Sequence, residues 1–240
     1  LFLSTSTTTD HVWSRFNNSR DYSVQVHEAI HAARPGIHVD STSNEAVING
    51  TIDLANYDSV VWILGRESTA DDTLDSTEQT LVGQFLAGGG NLLITGSELG
   101  YDLDGQNNGR SFFRNTLGAS YVADSANTHT IAAASSGIFA SLPDFNISDG
   151  TVFSSLDGQL YDVSSADVLS PGTGAQAALN YSGGSGGVAA VQKEGTAGQG
   201  NLVMFGFPFE TIVDPSLRST VMDNVLEFFN LSPPELAESP

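Results

Sequence analysis

The sequence contains no cysteine and few basic residues. Without cysteine, disulfide bonds, thiolate nucleophiles and zinc–thiolate sites are all excluded. The 8 lysines and arginines are set against 28 aspartates and glutamates, which gives a formal net charge of −20 at pH 7. A chain this acidic repels nucleic acid and anionic membrane surfaces, so neither is expected as a partner. No apolar run approaches the roughly 20 residues of a membrane-spanning helix, so no membrane insertion is expected either.

Charged residues make up only 15% of the 240 residues. Serine, threonine, asparagine, glutamine and glycine supply the remaining polar surface, a composition that predicts a secreted, extracellular or cell-surface protein. The length is sufficient for one large domain. We predict a single domain over residues 1–231, followed by a linker over 232–240 whose prolines and serines are typical of a segment between domains.

The first half of the chain alternates helix-like and strand-like segments, which is the pattern of a parallel sheet covered by helices. Apolar residues at three- and four-residue spacing predict a helix over residues 21–33. Continuous apolar runs predict buried strands at 59–64 and 91–95. Between them, a helix is expected to open at Ser76, which forms a capping-box pattern with Gln79. Together these segments have the length of a βαβ unit.

The second half changes character twice. From about residue 119 to 200, short alternating segments are broken by glycine, serine, aspartate and proline, which predicts an antiparallel insertion or extension. A buried strand at 201–206 and a helix with Asp214 as its N-cap and Pro215 at its first position then return the chain to the main sheet. The predicted fold class is α/β, with a flavodoxin-like parallel sheet flanked by helices and an antiparallel section added.

Four segments resemble a known kind of domain: residues 43–47, 57–73, 89–103 and 206–212. They are similar to a domain of large secreted bacterial multidomain proteins, described as xanthan lyase-like or golvesin-associated, which itself resembles class I glutamine amidotransferases. The resemblance implies a GxCxG turn after a parallel strand, which carries the nucleophile. It also implies an HPE-like motif after a later strand, which supplies a histidine and its orienting glutamate.

The chain departs from the amidotransferase pattern at both motifs. The first turn reads GSELG at 96–100, so Glu98 stands at the nucleophile position, and the second motif reads FPFE at 207–210, without histidine. A thioester mechanism needs a thiolate and an imidazole, so glutaminase activity is excluded. Ser97 lies one residue from the apex of the turn, which also disfavours a serine hydrolase.

Three carboxylates follow predicted strands directly: Glu67, Glu98 and Glu210. In parallel sheets the carboxyl ends of the strands are where ligands bind, so these groups are candidate catalytic residues. We expect Glu98 to be partly buried, within about 10 Å of Glu210 at two strand spacings, with Arg66 as the nearest counter-charge. The alternative is that each glutamate caps a local turn or accepts backbone N–H groups.

A possible calcium loop follows the GSELG turn. Asp102, Asp104 and Asn107 place oxygen-bearing side chains around glycines, as in the opening of a calcium-binding loop. The glutamate that closes such a loop at its twelfth position is absent, because Phe113 stands there. The alternative is an ordinary turn rich in aspartate and asparagine, since turns prefer the same residues.

The predicted first helix spells HExxH at residues 27–31, the signature of a zinc peptidase. The apolar face of that helix leaves His27 and His31 on its flank, and no third ligand follows at a characteristic spacing. Solvent-facing histidines are the alternative. No nucleotide cofactor is expected, so calcium is the one candidate cofactor.

Two functions are compatible with these features. The first is a non-catalytic interaction or assembly module, whose partners are other domains or subunits of an extracellular assembly. The second is a polysaccharide-active hydrolase or lyase that uses Glu98 and Glu210 as acid and base.

Overall fold

The computed structural model describes residues 2–4, 22–70, 72–148 and 163–231. The strands are β1 (Phe2–Ser4), β2 (Ser41–Ser43), β3 (Ser59–Gly65), β4 (Asn91–Gly96), β5 (Ala119–Ala123), β6 (Thr130–Ala133), β7 (Phe145–Asn146), β8 (Val168–Pro171), β9 (Ala175–Tyr181), β10 (Gly187–Lys193) and β11 (Leu202–Phe205). The α-helices are α1 (Tyr22–Ala33), α2 (Asn44–Ile48), α3 (Ser76–Ala87), α4 (Arg110–Asn115) and α5 (Pro215–Phe228). The linker predicted at 232–240 lies outside the described residues.

The fold is a mixed α/β arrangement around one mixed sheet. Its first half is parallel, with the strands in the order β2, β1, β3, β4 and β11. The three strands predicted near residues 59, 91 and 201 are therefore neighbours in a single sheet, which confirms that prediction. Their continuous apolar sequence follows from this central position, because helices cover both faces.

Successive residues of β3 point to opposite faces and enter two separate cores. Val61 and Ile63 pack on the face covered by α1 and α5, in a core that includes Val26, Ile30, Val221 and Val225. Val60, Trp62 and Leu64 pack on the opposite face, in a core that includes Val82, Phe85 and Leu86 of α3. Each face of the sheet is therefore covered by its own layer of helices.

The second half of the sheet is antiparallel. Strand β10 pairs antiparallel with β11, and β9, β6 and β7 follow outward from it in antiparallel pairs. Strands β5 and β8 form a further antiparallel pair that joins β10 through Val188 and Leu169. The described strands of the section predicted at 119–200 thus form antiparallel pairs, and through β10 they continue the main sheet from β11.

The helix ends match the sequence signals closely. Asp214 caps α5 by accepting from Ser216 N at 2.8 Å, with Pro215 in the first position, as predicted. The capping box of α3 is shifted by one residue from the prediction: Asp75 accepts from the backbone N–H of Glu78, whose side chain accepts from Asp75 N at 2.7 Å. The correction has a simple cause, since aspartate and glutamate fill both capping positions at least as well as serine and glutamine.

Among the described residues, no helix combines the length and apolar character that crossing a bilayer requires.

Candidate functional site

The three candidate glutamates lie at one edge of the sheet. Strands β3, β4 and β11 are neighbours and run in parallel, so Glu67, Glu98 and Glu210 all follow carboxyl ends on that edge. In open parallel sheets this is the edge at which ligands bind. The residues around each glutamate decide what it can do there.

The turn after β4 leads straight into a helical segment. A Cβ atom at Gly96 would lie 2.7 Å from the Cβ of Leu64, so only glycine allows the chain to turn here. Helical backbone begins at Leu99 and continues through a π-helical turn at Tyr101–Gly105. Leu99 and Leu103 are buried in the core on the α3 face, which places the turn on that side of the sheet.

Asp167 caps this helical segment from a distant part of the chain. Its fully buried carboxylate accepts from the backbone N–H of Gly100 and, at 3.2 Å, from that of Tyr101. These are N–H groups of the first helical turn, which have no partner within the helix. Burial raises the pKa of Asp167 well above its usual range, the amides partly offset this, and the charges of Glu98 and Asp124 raise it further.

The backbone around Asp167 is held just as firmly. Its N–H group donates to the carbonyl oxygens of Ser97 and Gly206, at 3.1 and 2.7 Å, and its carbonyl accepts from the Tyr181 hydroxyl at 3.1 Å. A Cβ atom at Gly206 would lie 2.4 Å from the Asp167 carbonyl oxygen, and one at Gly100 would lie 3.0 Å from the carboxylate. Two glycines thus make room for this residue between the turn and the end of β11.

Glu98 stands at the start of the helical segment but does not contribute its cap. Its carboxylate is partly buried and accepts from the hydroxyl of Ser68 at 3.2 Å and from that of Ser165. Burial raises the pKa of Glu98, the charge of Asp124 raises it further, and the two hydroxyls partly offset both. The acceptor for the N–H groups of Gly100 and Tyr101 is thus Asp167, while the Glu98 carboxylate accepts from serine hydroxyls.

Two tyrosines border this carboxylate cluster. The rings of Tyr101 and Tyr121 meet edge to face with centroids 5.9 Å apart. Burial and the neighbouring charges of Asp124, Asp167 and Glu98 raise the pKa of Tyr121 to about 12. The edge above β4 therefore combines acidic and aromatic groups.

Glu210 has different surroundings, on the α5 face. It lies fully buried in a 3-10 turn at Phe209–Thr211, and its charge acts on Arg218 of α5. Burial lowers the pKa of Arg218, while the carboxylates of Glu28, Glu210 and Asp214 oppose that shift. Arg218 also donates to the carbonyl of Ile212 at 2.7 Å. The arginine thus supplies the positive charge for three acidic groups.

Glu67 is buried directly after β3, and its N–H group donates to the carbonyl of Leu64 at 3.1 Å. The structure therefore brings the three glutamates to one edge while giving Glu98 and Glu210 different neighbours on opposite faces.

Sequence reasoning missed Asp167 and Arg218. Arg218 left a signal, because it falls on the stripe of α5 formed by Val221, Met222 and Val225.

The predicted calcium loop is held together by protein donors. Asp102 is buried and accepts from the N–H and hydroxyl groups of Thr73, at 3.0 and 2.6 Å, and from the side-chain amide of Asn108 at 2.6 Å. Asn107 adopts a left-handed backbone conformation, with a φ of 67°. The carboxylate of Asp102 therefore connects the segment before α3 to the turn after β4.

Asp104, the other carboxylate of that loop, is buried between two arginines. One oxygen lies 3.0 Å from Arg110 Nε and 2.9 Å from Arg114 Nε, and the other accepts from Tyr121 N at 2.8 Å. Within residues 22–70, 72–148 and 163–231, no three histidine, aspartate or glutamate side chains form a group that could hold a metal ion. Calcium binding by Asp102, Asp104 and Asn107 stays a prediction.

The HExxH segment lies on the outer face of α1. His27 and His31 are exposed, and their rings stack with centroids 6.2 Å apart and planes 12° from parallel. Glu28 acts electrostatically on Arg218, as described above. The histidines thus face solvent, which was one of the two sequence expectations.

A wide groove of about 880 Å³ opens at the other end of the sheet, beside the amino ends of β3 and β4. Its lining includes Tyr57, Asp58, Gln84 and Phe229, and the described residues that line it include no basic side chain. The groove is separate from the edge that carries the three glutamates.

Comparisons with known proteins identify the fold and no sequence family. No protein-family model matches the sequence, and a sequence comparison with curated proteins finds no match. Among solved structures, a GMP synthase-like protein from Thermoplasma acidophilum is 12% identical, with a TM-score of 0.54, over 95% of this chain and 92% of that one. The N-terminal domain of mmIFT52 is 15% identical, with a TM-score of 0.57, over 98% of this chain and 99% of that one.

A third neighbour is a much longer enzyme. The β-galactosidase from Bacillus circulans sp. alkalophilus is 16% identical, with a TM-score of 0.53, over 88% of this chain. This chain spans only 28% of that enzyme, and 27% and 34% of two further glycoside hydrolases among its matches. The neighbours therefore include a protein of the glutamine amidotransferase-like fold and parts of carbohydrate-active enzymes. At these identities the likeness concerns the fold alone.

Proposed function

We propose that this chain is a non-catalytic interaction or assembly module built on a degenerate amidotransferase-like scaffold. The observation that carries the proposal is the turn after β4, where Glu98 replaces the nucleophile and Asp167 occupies the helix amides behind it. In active enzymes, free N–H groups near a nucleophile serve to stabilise developing negative charge. Here a carboxylate of the protein itself takes up two of the N–H groups beside the nucleophile position.

The second motif supports the same conclusion. Glu210 stands where the amidotransferase motif has its orienting glutamate. The motif here has no histidine, and the charge of Glu210 acts on the buried Arg218. With no cysteine anywhere in the chain, thioester chemistry has neither nucleophile nor base. The motif is retained as a structural connection between β11 and α5.

The fold is compatible with a binding role. The order of the parallel strands, β2, β1, β3, β4 and β11, supports our proposal of a flavodoxin-like arrangement, in which the strand order is 2-1-3-4-5. We assign residues 1–231 to one domain of this type, with 119–200 as its antiparallel extension. In the matched β-galactosidase the same fold makes up 28% of a longer chain, which supports a role as one part of a larger protein.

The proposed setting is a secreted or cell-surface protein of the xanthan lyase-like or golvesin-associated kind. Its partners are other domains or subunits of an extracellular assembly, or a polysaccharide. The formal charge of −20 favours partners that are neutral or basic and disfavours nucleic acid.

A polysaccharide-active hydrolase or lyase is the second candidate, and one observation favours it. Glu98 has a raised pKa at a ligand-binding edge bordered by Tyr101 and Tyr121, as a general acid beside a sugar-stacking surface would require. In this version Glu98 is the acid, and Glu210 or Glu67 is the base.

Turnover separates the two candidates. Purified protein is incubated with glutamine and with a panel of neutral and acidic polysaccharides, in parallel with Glu98→Gln and, as a matched control, Glu227→Gln on the distant α5. The interaction module predicts no product from any of the three proteins. Reproducible product that disappears in Glu98→Gln and persists in Glu227→Gln would establish the enzyme and overturn the module.

Calcium binding at Asp102, Asp104 and Asn107 is a further proposal. An ion would have to exchange with the guanidinium groups of Arg110 and Arg114 at Asp104. Calorimetry at millimolar calcium tests it, together with the melting temperature in calcium and in chelator. No heat of binding and an unchanged melting temperature would remove the calcium proposal.

A further inference from the structure

We propose that His27 and His31 form a two-point binding site for a divalent transition-metal ion such as Zn²⁺, Ni²⁺ or Cu²⁺. This site lies on the outer face of α1. Its two histidines are not among the residues on which the proposed function depends.

The geometry of α1 places both imidazoles on one face. Residues four apart in an α-helix are separated by one turn, about 6 Å along the axis, and their side chains are neighbours. The two rings lie 6.2 Å apart and nearly parallel, and both side chains are exposed. A shared ion would take one nitrogen of each ring at the usual metal–nitrogen distance of about 2.0–2.1 Å.

The helix that carries the pair is anchored on its other face. Val26 and Ile30 are buried in the core between the sheet and α5. At the end of α1, Arg34 Nε donates to Asp223 of α5 at 2.7 Å. The backbone of α1 is therefore fixed before an ion arrives.

The site differs from that of a zinc peptidase in its coordination. The described residues contain no group of three acidic or histidine ligands, and the charge of Glu28 acts on Arg218. An ion held by two imidazoles keeps its remaining positions for water or for a donor from another molecule. The net charge of −20 favours the approach of a cation.

Metal titration of the whole protein tests the proposal. Calorimetry with NiCl₂ and with ZnCl₂ is carried out on the wild type, His27→Ala, His31→Ala and the control His38→Ala, whose histidine is exposed outside α1. We expect one strong equivalent of metal in the wild type and in His38→Ala. Each substitution in the pair should weaken the affinity by about tenfold or more, because the second imidazole no longer adds an intramolecular bond at high effective concentration.

A second measurement keeps the test independent of folding. Circular dichroism of each variant without metal checks that α1 remains helical, and His27→Gln provides a replacement that retains a polar side chain. In the wild type, NMR resonances of the two imidazoles should shift together as Zn²⁺ is added. Binding that survives both His27→Ala and His31→Ala, or no binding to the wild type at millimolar metal, would overturn the proposal.

Discussion

The two faces of the sheet treat a glutamate at a strand end in opposite ways. On the α3 face, Glu98 is partly buried beside Asp124 and Asp167, and its hydrogen-bond donors include the neutral hydroxyls of Ser68 and Ser165. On the α5 face, the fully buried Glu210 acts on a buried arginine. Glu98 and Glu210 follow neighbouring strands. Glu98 nevertheless lies in a cluster of carboxylates, whereas Glu210 lies in a cluster whose negative charge is balanced by an arginine.

This difference indicates which of the two glutamates stabilises the fold and which is available to a ligand. Removing the cation beside a buried carboxylate lowers the stability of the fold, because an uncompensated charge remains in a low dielectric. A carboxylate among other carboxylates gains from protonation or from a bound positive group. We therefore assign stability to Glu210 and any ligand chemistry to Glu98.

The largest expected effect concerns the α5 face. Replacing Arg218 with methionine should lower the free energy of unfolding by about 3 kcal/mol, because it leaves buried Glu210 without the arginine. Denaturant unfolding measures the loss, and the double variant with Glu210→Gln should recover part of it. The matched control Arg34→Met removes a more exposed ion pair and should cost about 1 kcal/mol or less. Equal losses in both arginine variants would contradict the charge-balanced cluster.

A smaller loss is expected when the amide cap on the α3 face is removed. Asp167→Ala leaves the N–H groups of Gly100 and Tyr101 without their acceptor and should cost about 2 kcal/mol. Asp167→Asn keeps an acceptor oxygen in place and should cost clearly less. Thermal and denaturant unfolding measure both variants. Equal stability of Asp167→Ala and Asp167→Asn would contradict the role of Asp167 as the acceptor for these N–H groups.

The charge of Asp167 also predicts a pH dependence. Its folded pKa lies above the value of 3.8 of a free aspartate, so the folded state binds a proton more readily than the unfolded state. Its contribution to stability is complete below pH 3.8 and is lost as the pH rises through the folded pKa, by at most about 1.4 kcal/mol per pH unit. Asp167→Asn should flatten that part of the profile.

Glu78 serves as the reference for this measurement. Burial raises the pKa of Glu78 to about 7 from 4.5, so its own contribution is lost between those two values, and Glu78→Gln should remove only that portion. A profile that is unchanged in Asp167→Asn would show that the pKa of Asp167 is the same in the folded and unfolded states, which would contradict the raised folded pKa.

The smallest effect is expected at the nucleophile position itself. Glu98→Gln relieves the repulsion with Asp124 and keeps one acceptor oxygen for the serine hydroxyls, so stability at pH 7 should change by no more than about 0.5 kcal/mol. Differential scanning calorimetry resolves such a change. A loss above about 2 kcal/mol would mean that the ionised carboxylate of Glu98 has a structural role like that of Glu210.

Local signals in the sequence predicted the parallel half of the fold well. The strand at 59–64, the helix cap at Asp214 and the helix at 21–33 each depend on a continuous apolar run, a capping residue or a helical period. Such patterns are written into consecutive residues, and the structure reproduces them to within one or two positions.

The remaining features depend on contacts between distant residues. Asp167 reaches the turn after β4 across 67 residues, and no periodic pattern marks a single aspartate between Ala166 and Val168. The pairing of β10 with β11, which joins the antiparallel half to the parallel half, likewise depends on which sheet edge is open. The sequence did place three glutamates at one edge, but it held no information on the side chains that would surround each of them.

The two glycines that accommodate Asp167 have a consequence for tracing ancestry. A Cβ atom at position 206 would clash with the backbone carbonyl oxygen of Asp167, and one at position 100 would crowd the Asp167 carboxylate, which would have to shift. A pattern of glycine two residues after the turn apex, aspartate 67 residues later and glycine at the end of the last parallel strand is therefore a three-point fingerprint. It can separate remote homologues in which an aspartate caps the amides of this turn from those in which the amides are uncapped, even where overall identity has fallen too low for ordinary alignment.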